Sequence, residues 1–281
     1  MSKVNPLTPL RYPGGKAAFA PHIRSLIKRN DLYGCDYLEP YAGGAGIALD
    51  LLFNGYSKNV HINDLDPAIY HFWKSIIHNT DEFLKLLNKT PITISVWEHQ
   101  KKILAQSDSY SELEHGFAAF FLNRTNRSGI LKGGVIGGKE QAGIYKLDAR
   151  FKKDKLARRI EKIATYSSQI HIHNKDALVL LNSVDSIMPT RSLIYLDPPY
   201  YVKGQGLYRN FYNHDDHISI QKQLSTVKQF WLASYDNCPE ICDIYQDYKQ
   251  DLYTLSYSAY HKRKASEVVI YDQKLLIPST N

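Results

Sequence analysis

Two short clusters combine residue types and spacing that suit chemistry. The first is Asp197-Pro198-Pro199-Tyr200, directly behind the apolar run Leu193-Ile194-Tyr195-Leu196. Two prolines cannot continue a β-ladder, so they force a rigid, narrow turn at the carboxyl end of that strand. Ligands of open α/β sheets sit at this end. The turn gathers a carboxylate, a carbonyl without competing N–H donors, and an aromatic ring. That set suits a planar exocyclic amine: Asp197 and the Pro198 carbonyl each accept one N–H, while Tyr200 stacks on the ring. The plainer reading is a structural Pro-Pro turn.

The second cluster is Tyr41-Ala42-Gly43-Gly44-Ala45-Gly46, behind Glu39-Pro40. Glycine lets the main chain approach a ligand where a side chain would collide, and the loop opens a helix whose first N–H groups point outward. The segment is neither G-x-G-x-x-G nor a P-loop, since no Gly-Lys-Ser/Thr follows. Asp64 ends the next strand about 20 residues on, where an acid typically accepts hydrogen bonds from ribose hydroxyls. A helix-capping Asp is the alternative at that position.

These residues need a scaffold. Phe19, Ile23, Leu26 and Ile27 recur at helical spacing until Asn30-Asp31. Asp36–Glu39 reads as a strand entering the glycine turn, and Ile47–Phe53 as a helix ended by Asn54-Gly55. A strand at Val60–Asp64 and a helix from Pro67 to about Ile77 follow. Strand, glycine turn, helix, strand and acid, in that order, open a doubly wound α/β domain. The middle differs. Asp81–Leu87 and Ser111–Leu122 are helical, the latter opened by the capping box Ser111…Glu114. Gly129–Gly143 holds six glycines, and Arg150–Lys162 holds seven basic residues around the apolar face of Leu156, Ile160 and Ile163. Strands return at Ile170–Ile172, Leu193–Leu196, Phe230–Ser234 and Val268–Tyr271.

A chain of 281 residues with 43% hydrophobic and 12% aromatic residues has ample material for a core and is not disordered. Its net charge of +7 favours polyanions such as nucleic acid. Three cysteines make no disulfide framework and point to a reducing compartment. Cys238 and Cys242 lack a second ligand pair, so no structural zinc is expected, and His171 and His173 read as packing residues rather than ligands. No signal core and no run of 18 apolar residues occurs, so a cytoplasmic protein without membrane contact is expected.

Arg11-Tyr12-Pro13-Gly14-Gly15-Lys16, Glu39–Gly46, Asn63-Asp64, Phe121-Leu122-Asn123-Arg124 and Asp197–Tyr200 occur in an order that resembles the Dam-like (D12 class) DNA adenine-N6 methyltransferases across nearly the whole chain. The resemblance implies a Rossmann-like, S-adenosylmethionine-dependent core (residues 1–75 and 166–281) with an inserted, mainly helical target-recognition domain (76–165). It implies transfer of a methyl group to a flipped-out adenine in duplex DNA. Asp197, Pro198, Pro199 and Tyr200 are then catalytic. Tyr12, Lys16, Glu39, Pro40, Tyr41, Ala42, Gly43, Gly44, Asp64, Asp176 and Asp197 hold the cofactor: Glu39 and the glycine loop at the methionine part, Asp64 at the ribose, Asp176 at the adenine. One departure is Tyr41-Ala42-Gly43-Gly44, where many relatives carry Phe and a shorter run of small residues.

On the DNA side, Asn123, Arg124, Asn126 and Arg127 are candidates for base edges, because Arg reads guanine and Asn reads adenine through paired bonds. Lys152 and Lys153, within the basic stretch, suit phosphates, as does Lys262-Arg263-Lys264. Tyr201, Tyr208, Phe211 and Tyr212 either line the base pocket or pack beneath it, with packing favoured for most. The expected partner is double-stranded DNA; a companion restriction endonuclease and a solitary enzyme both stay open, the chain itself being a monomer or weak dimer. Methylation of RNA adenine or DNA cytosine N4, or a catalytically silent DNA-binding module, are the competing readings. Asp rather than Ser in Asp197–Tyr200 favours adenine by resemblance.

Overall fold

A computed structural model describes residues 7–11, 15–201, 212–256 and 264–278, apart from the side chains of 254–256 and 264–266. Tyr12, Tyr208, Phe211, Lys262 and Arg263 lie outside the described residues, as does the side chain of Lys264. The chain divides into two compact units: Lys16–Leu65 with Lys175–Asn281, and Met1–Gly15 with Asp66–Asn174.

The first unit is built on a sheet in which β1 (Cys35–Glu39), β2 (Ser57–Asn63), β4 (Leu193–Leu196), β5 (Phe230–Asp236), β6 (Lys249–Ser256) and β7 (Lys264–Tyr271) follow the order β2-β1-β4-β5-β7-β6. β1 runs parallel to β2 and β4, and β4 parallel to β5, whereas β7 runs antiparallel to β5 and β6. Leu193–Leu196 are all buried, which suits a parallel strand covered on both faces. Helices α1 (Ala20–Arg29), α2 (Gly46–Phe53), α8 (Ala177–Asn182), α9 (His214–Leu224) and α10 (Pro239–Ile244) supply the covers.

Side chains alternate along a strand, and the two faces of this sheet have different chemistry. Leu38, Ile194, Leu196, Trp231, Ala233, Val268 and Ile270 point into an apolar core completed by Leu180 and Leu181 of α8, Ile220 and Leu224 of α9, and Ile241 of α10. On the other face Tyr37, Glu39, Tyr195, Asp197, Ser234 and Glu267, which are polar or carry a polar tip, stand among the buried apolar residues Leu193, Leu232 and Val269. Phe19, just before α1, covers this second face, its ring 5.7 Å from that of Tyr195.

The second unit is mainly helical: α3 (Pro67–His78), α4 (Thr80–Lys89), α5 (Ile94–Ala105), α6 (Glu112–Thr125) and α7 (Lys153–Ala164), with the strand β3 (Ile170–His173) last. The capping box at the start of α6 is formed by Ser111 and Glu114, as their spacing predicts. An aromatic cluster fills the middle. Phe72 of α3 stacks on Phe120 of α6 at 5.8 Å, and Phe83 of α4 meets both. Gly116 is required there, since a Cβ would sit 2.5 Å from the His71 carbonyl oxygen. α3 packs chiefly against α6, within this unit, and also touches β3. The unit bounds fall at 65/66 and 174/175, whereas the domain bounds expected from sequence are 75/76 and 165/166.

Candidate active site

Asp197 leaves β4 at its carboxyl end, and the main chain through Tyr200 has no regular structure. Its Oδ1 lies 3.4 Å from Lys16 Nζ and accepts a hydrogen bond from the Ser234 hydroxyl at 3.2 Å. Ser234 also exchanges a hydrogen bond with the Tyr195 hydroxyl at 2.7 Å. Lys16 is buried and pairs with Glu267 Oε2. The Tyr200 hydroxyl donates to Glu267 Oε1 at 3.3 Å, and Lys16 Nζ sits 5.6 Å from the centre of the Tyr200 ring. Directly after the turn, the Tyr201 N–H donates to Asp236 Oδ1 at 2.9 Å. Pro198 is buried, and a quarter of the Asp197 side chain remains open.

Burial pushes the Asp197 carboxyl up to about 6, with Lys16 pulling it down and Glu267 adding repulsion. Asp197 is therefore an anion at neutral pH that keeps one open edge, a state suited to accepting an N–H.

The glycine turn is held from three sides. Asn63 spends its whole amide: Nδ2 donates to the Pro40 and Lys175 carbonyls at 2.8 and 2.9 Å, and Oδ1 accepts the Lys175 N–H at 2.9 Å. The Ala42 N–H donates to the Asn63 carbonyl at 2.8 Å. Gly43 has φ +46°, a left-handed conformation that favours glycine, and its N–H donates to Asp64 Oδ2 at 3.1 Å. Ala45, with φ +47°, begins α2 and has no side-chain cap of its own. Glu39 supplies one instead, its Oε1 accepting the Ala48 N–H at 2.9 Å and the Tyr37 hydroxyl at 3.1 Å. Even so, burial pushes the Glu39 carboxyl up to about 8. Asp176 caps α8 through the N–H groups of Leu178 and Val179. Tyr41, half-buried, meets the hydroxyl of Tyr212 at 3.0 Å.

Tyr201 and Tyr212 both pack against the apolar core, as favoured from sequence. Lys16, Asp197, Ser234, Tyr200 and Glu267 thus converge, as do Glu39, Pro40, Ala42, Gly43, Asn63 and Asp64. Sequence reasoning missed Ser234, Asp236 and Glu267. The available signal was Glu267 itself, an acid placed directly before the apolar run Val268–Tyr271.

The helical unit places its candidates unevenly. Asn123 is buried, accepts the Arg11 N–H at 2.7 Å, and donates to the Arg11 and Gly129 carbonyls. Asn126 is buried, accepts from Trp97 Nε1 at 2.7 Å, and donates to the carbonyls of Ile130 and Leu131. Arg124 donates to the carbonyls of Arg150 and Pro9, and Lys153 to those of Asn88 and Thr90. Asn123 and Asn126 are thus buried within the unit, while Arg124 and Lys153 are partly exposed and also bind main-chain carbonyls. Arg127 and Lys152 are exposed. His171 is exposed rather than packed, and His173 is half-buried. Among the described residues no cluster of His, Cys, Asp and Glu could hold a metal ion, and no helix is long and apolar enough to cross a membrane.

A mostly parallel sheet with an acid-tipped second strand, a glycine turn and a carboxylate poised at the fourth strand fits a Rossmann-like α/β methyltransferase. The family model of the D12 class N6 adenine-specific DNA methyltransferases matches residues 12–264. The chain belongs to that family, whose reaction is DNA adenine methylation and which implies S-adenosylmethionine as donor and DNA as substrate. A search among curated proteins finds no match to the chain.

Proposed function

We propose that this protein is a sequence-specific methyltransferase that acts on adenine N6 of a flipped-out base in duplex DNA, with Asp197 and the Pro198 carbonyl holding the amine and Tyr200 stacking on the ring. The observation that carries the reading is Asp197, an anion held by Lys16 and Ser234 yet open along one edge. S-adenosylmethionine, when bound, supplies a methyl group on a positively charged sulfur. The residues present suit such a cation. Two carboxylates, Asp197 and Glu267, and the carboxyl of Glu39 share one mostly buried face with Lys16. Glu39, Pro40, Tyr41, Ala42, Gly43, Gly44 and Asp64 would hold the methionine and ribose parts, with Lys16 and Asp176 beside them; Tyr12, outside the described residues, is assigned to the cofactor from its motif alone.

Adenine N6 is a poor nucleophile because its lone pair is delocalised into the ring. Hydrogen bonds from N6–H to Asp197 and to the Pro198 carbonyl draw the nitrogen towards tetrahedral geometry. They also stabilise the positive charge that develops there, a preorganised electrostatic effect. Asp197 needs no great basicity, since the N6 proton becomes acidic only once the new bond forms. The target atom is hidden inside a duplex, so the base must leave the stack at a cost of a few kcal/mol. Stacking on Tyr200 returns part of that cost.

Burial, and after it the nearby Arg11, Arg159 and Arg150, lower the affinity of the Arg124 guanidinium for its proton. Such a concentration of like charge supports contact with a polyanion. Arg127 and Lys152 are then the residues proposed to reach DNA. Asn123, Arg124, Asn126 and Lys153 act by fixing the main chain around them. Transfer of a labelled methyl group to duplex DNA, with RNA and no-acceptor controls, tests the function. Asp197→Ala is expected to lower turnover at least about 100-fold; near-normal turnover removes Asp197 from the reaction.

A further inference from the structure

We infer that Glu267 is a positioning residue for the transfer site: one carboxylate holds Lys16 against Asp197 and anchors the phenol of Tyr200. The inference rests on the reading of Asp197 and Tyr200 given above. Glu267 lies on β7 opposite Asp236 of β5 and is 2% exposed. A buried charge needs a partner, and a pair that served stability alone is replaceable by apolar packing. This pair is tied to the catalytic turn at both oxygens. Oε2 takes the Lys16 ammonium, whose Nζ also lies 3.4 Å from Asp197 Oδ1. Oε1 takes the Tyr200 hydroxyl, so the ring proposed to stack on the base is fixed by the atom next to the one that fixes the cation. The cation in turn faces that ring.

The charged and titratable groups facing Asp197 come from several elements: Lys16 from the segment before α1, Glu39 from β1, Tyr195 from β4, Tyr235 from β5, and Glu267 from β7. Among them Lys16 favours the anion and Glu267 opposes it, while Glu39, held at about 8, is still protonated where Asp197 titrates. Gln in place of Glu267 keeps an oxygen that can accept from Lys16, so the cation stays at Asp197 while one opposing charge is lost. Asp197 then becomes easier to ionise.

The test is a pH titration of the full-length protein carrying 13C-labelled aspartate, the Asp197 signal being assigned by its loss in D197N. The wild-type midpoint is expected at about 6. In E267Q it moves down by about one pH unit, and the acid limb of kcat/KM for the methyl donor moves with it. An unmoved or raised midpoint overturns the inference. A wild-type protein that transfers no methyl group refutes the proposed reaction, but the titration still decides the electrostatic role of Glu267. Should E267Q not fold, Y200F tests the other arm, because it removes the hydrogen bond and leaves the ion pair. It should raise KM for DNA several-fold; unchanged KM and kcat overturn the anchoring role.

Discussion

Lys16 offers the sharpest test of the electrostatics, because its removal has an effect that should depend on pH in one direction only. Its Nζ stands 3.4 Å from Asp197 Oδ1. At an effective dielectric constant of about 20, Coulomb's law gives roughly 5 kcal/mol for unit charges at this separation. Sharing with Glu267 and the open edge of Asp197 reduce the share felt by Asp197 to about half of that, or about 2 pH units. Lys16→Met should therefore raise the Asp197 midpoint from about 6 to roughly 8. At pH 7 the ionised fraction then falls from about nine-tenths to about one-tenth, and kcat/KM for the methyl donor falls roughly tenfold. By about pH 9 most of the loss should be recovered. Steady-state methyl transfer across this range, with folding checked by circular dichroism at each pH, reads the effect. A loss of equal size at every pH would mean that Lys16 acts by packing or by direct contact with the ligand, and not through the charge on Asp197.

Glu39 makes a prediction about stability. Burial holds its carboxyl at about 8, above the ordinary value of 4.5, so the folded protein binds that proton more tightly than the unfolded chain does. The resulting stabilisation is complete below about pH 4.5 and is lost as pH rises through 8. Thermal melts of wild type should fall across this window more steeply than those of Glu39→Gln; parallel curves would count against it. Asn126→Ala leaves the Trp97 N–H and two carbonyls without partners and should cost about 2–4 kcal/mol in chemical denaturation. Loss of DNA binding by this variant with stability intact would return Asn126 to the interface. Arg127→Ala and Lys152→Ala should each lower the slope of log affinity against log salt by about 1; an unchanged slope excludes that residue from phosphate contact.

Much of this architecture could be read from local pattern. The order of β1, the glycine turn, α2, β2 and Asp64 is carried by residues within one stretch, and periodicity reveals it directly. Asp197–Tyr200 was equally legible, because two prolines behind an apolar strand leave few conformations. Contacts distant along the chain were not. Lys16 and Glu267 are 251 positions apart, and no local pattern joins them. Asn123 and Asn126 illustrate another limit. An asparagine that reads adenine and one that clamps main chain use the same amide, and only burial tells them apart. The short helices α8 and α10 span six residues each, less than two turns, too few for periodicity to show. Glu39 carried a double meaning, since an acid ahead of a glycine turn suits a ligand as well as the exposed N–H groups of α2.

The two unlike faces of the sheet tie correct folding to chemistry. Slipping β4 or β7 by a single residue exchanges its inward and outward side chains. Such a slip would thrust Asp197 or Glu267 into the oily interior occupied by Leu196 and Val268. An ionised carboxylate is heavily penalised in that setting. Misregistered forms therefore exclude themselves, and a chain that has buried its aliphatic residues properly has, in the same act, turned its acids towards Lys16 on the opposite face. Leu196→Asp, which plants a carboxylate in that interior, should destabilise the fold as a whole.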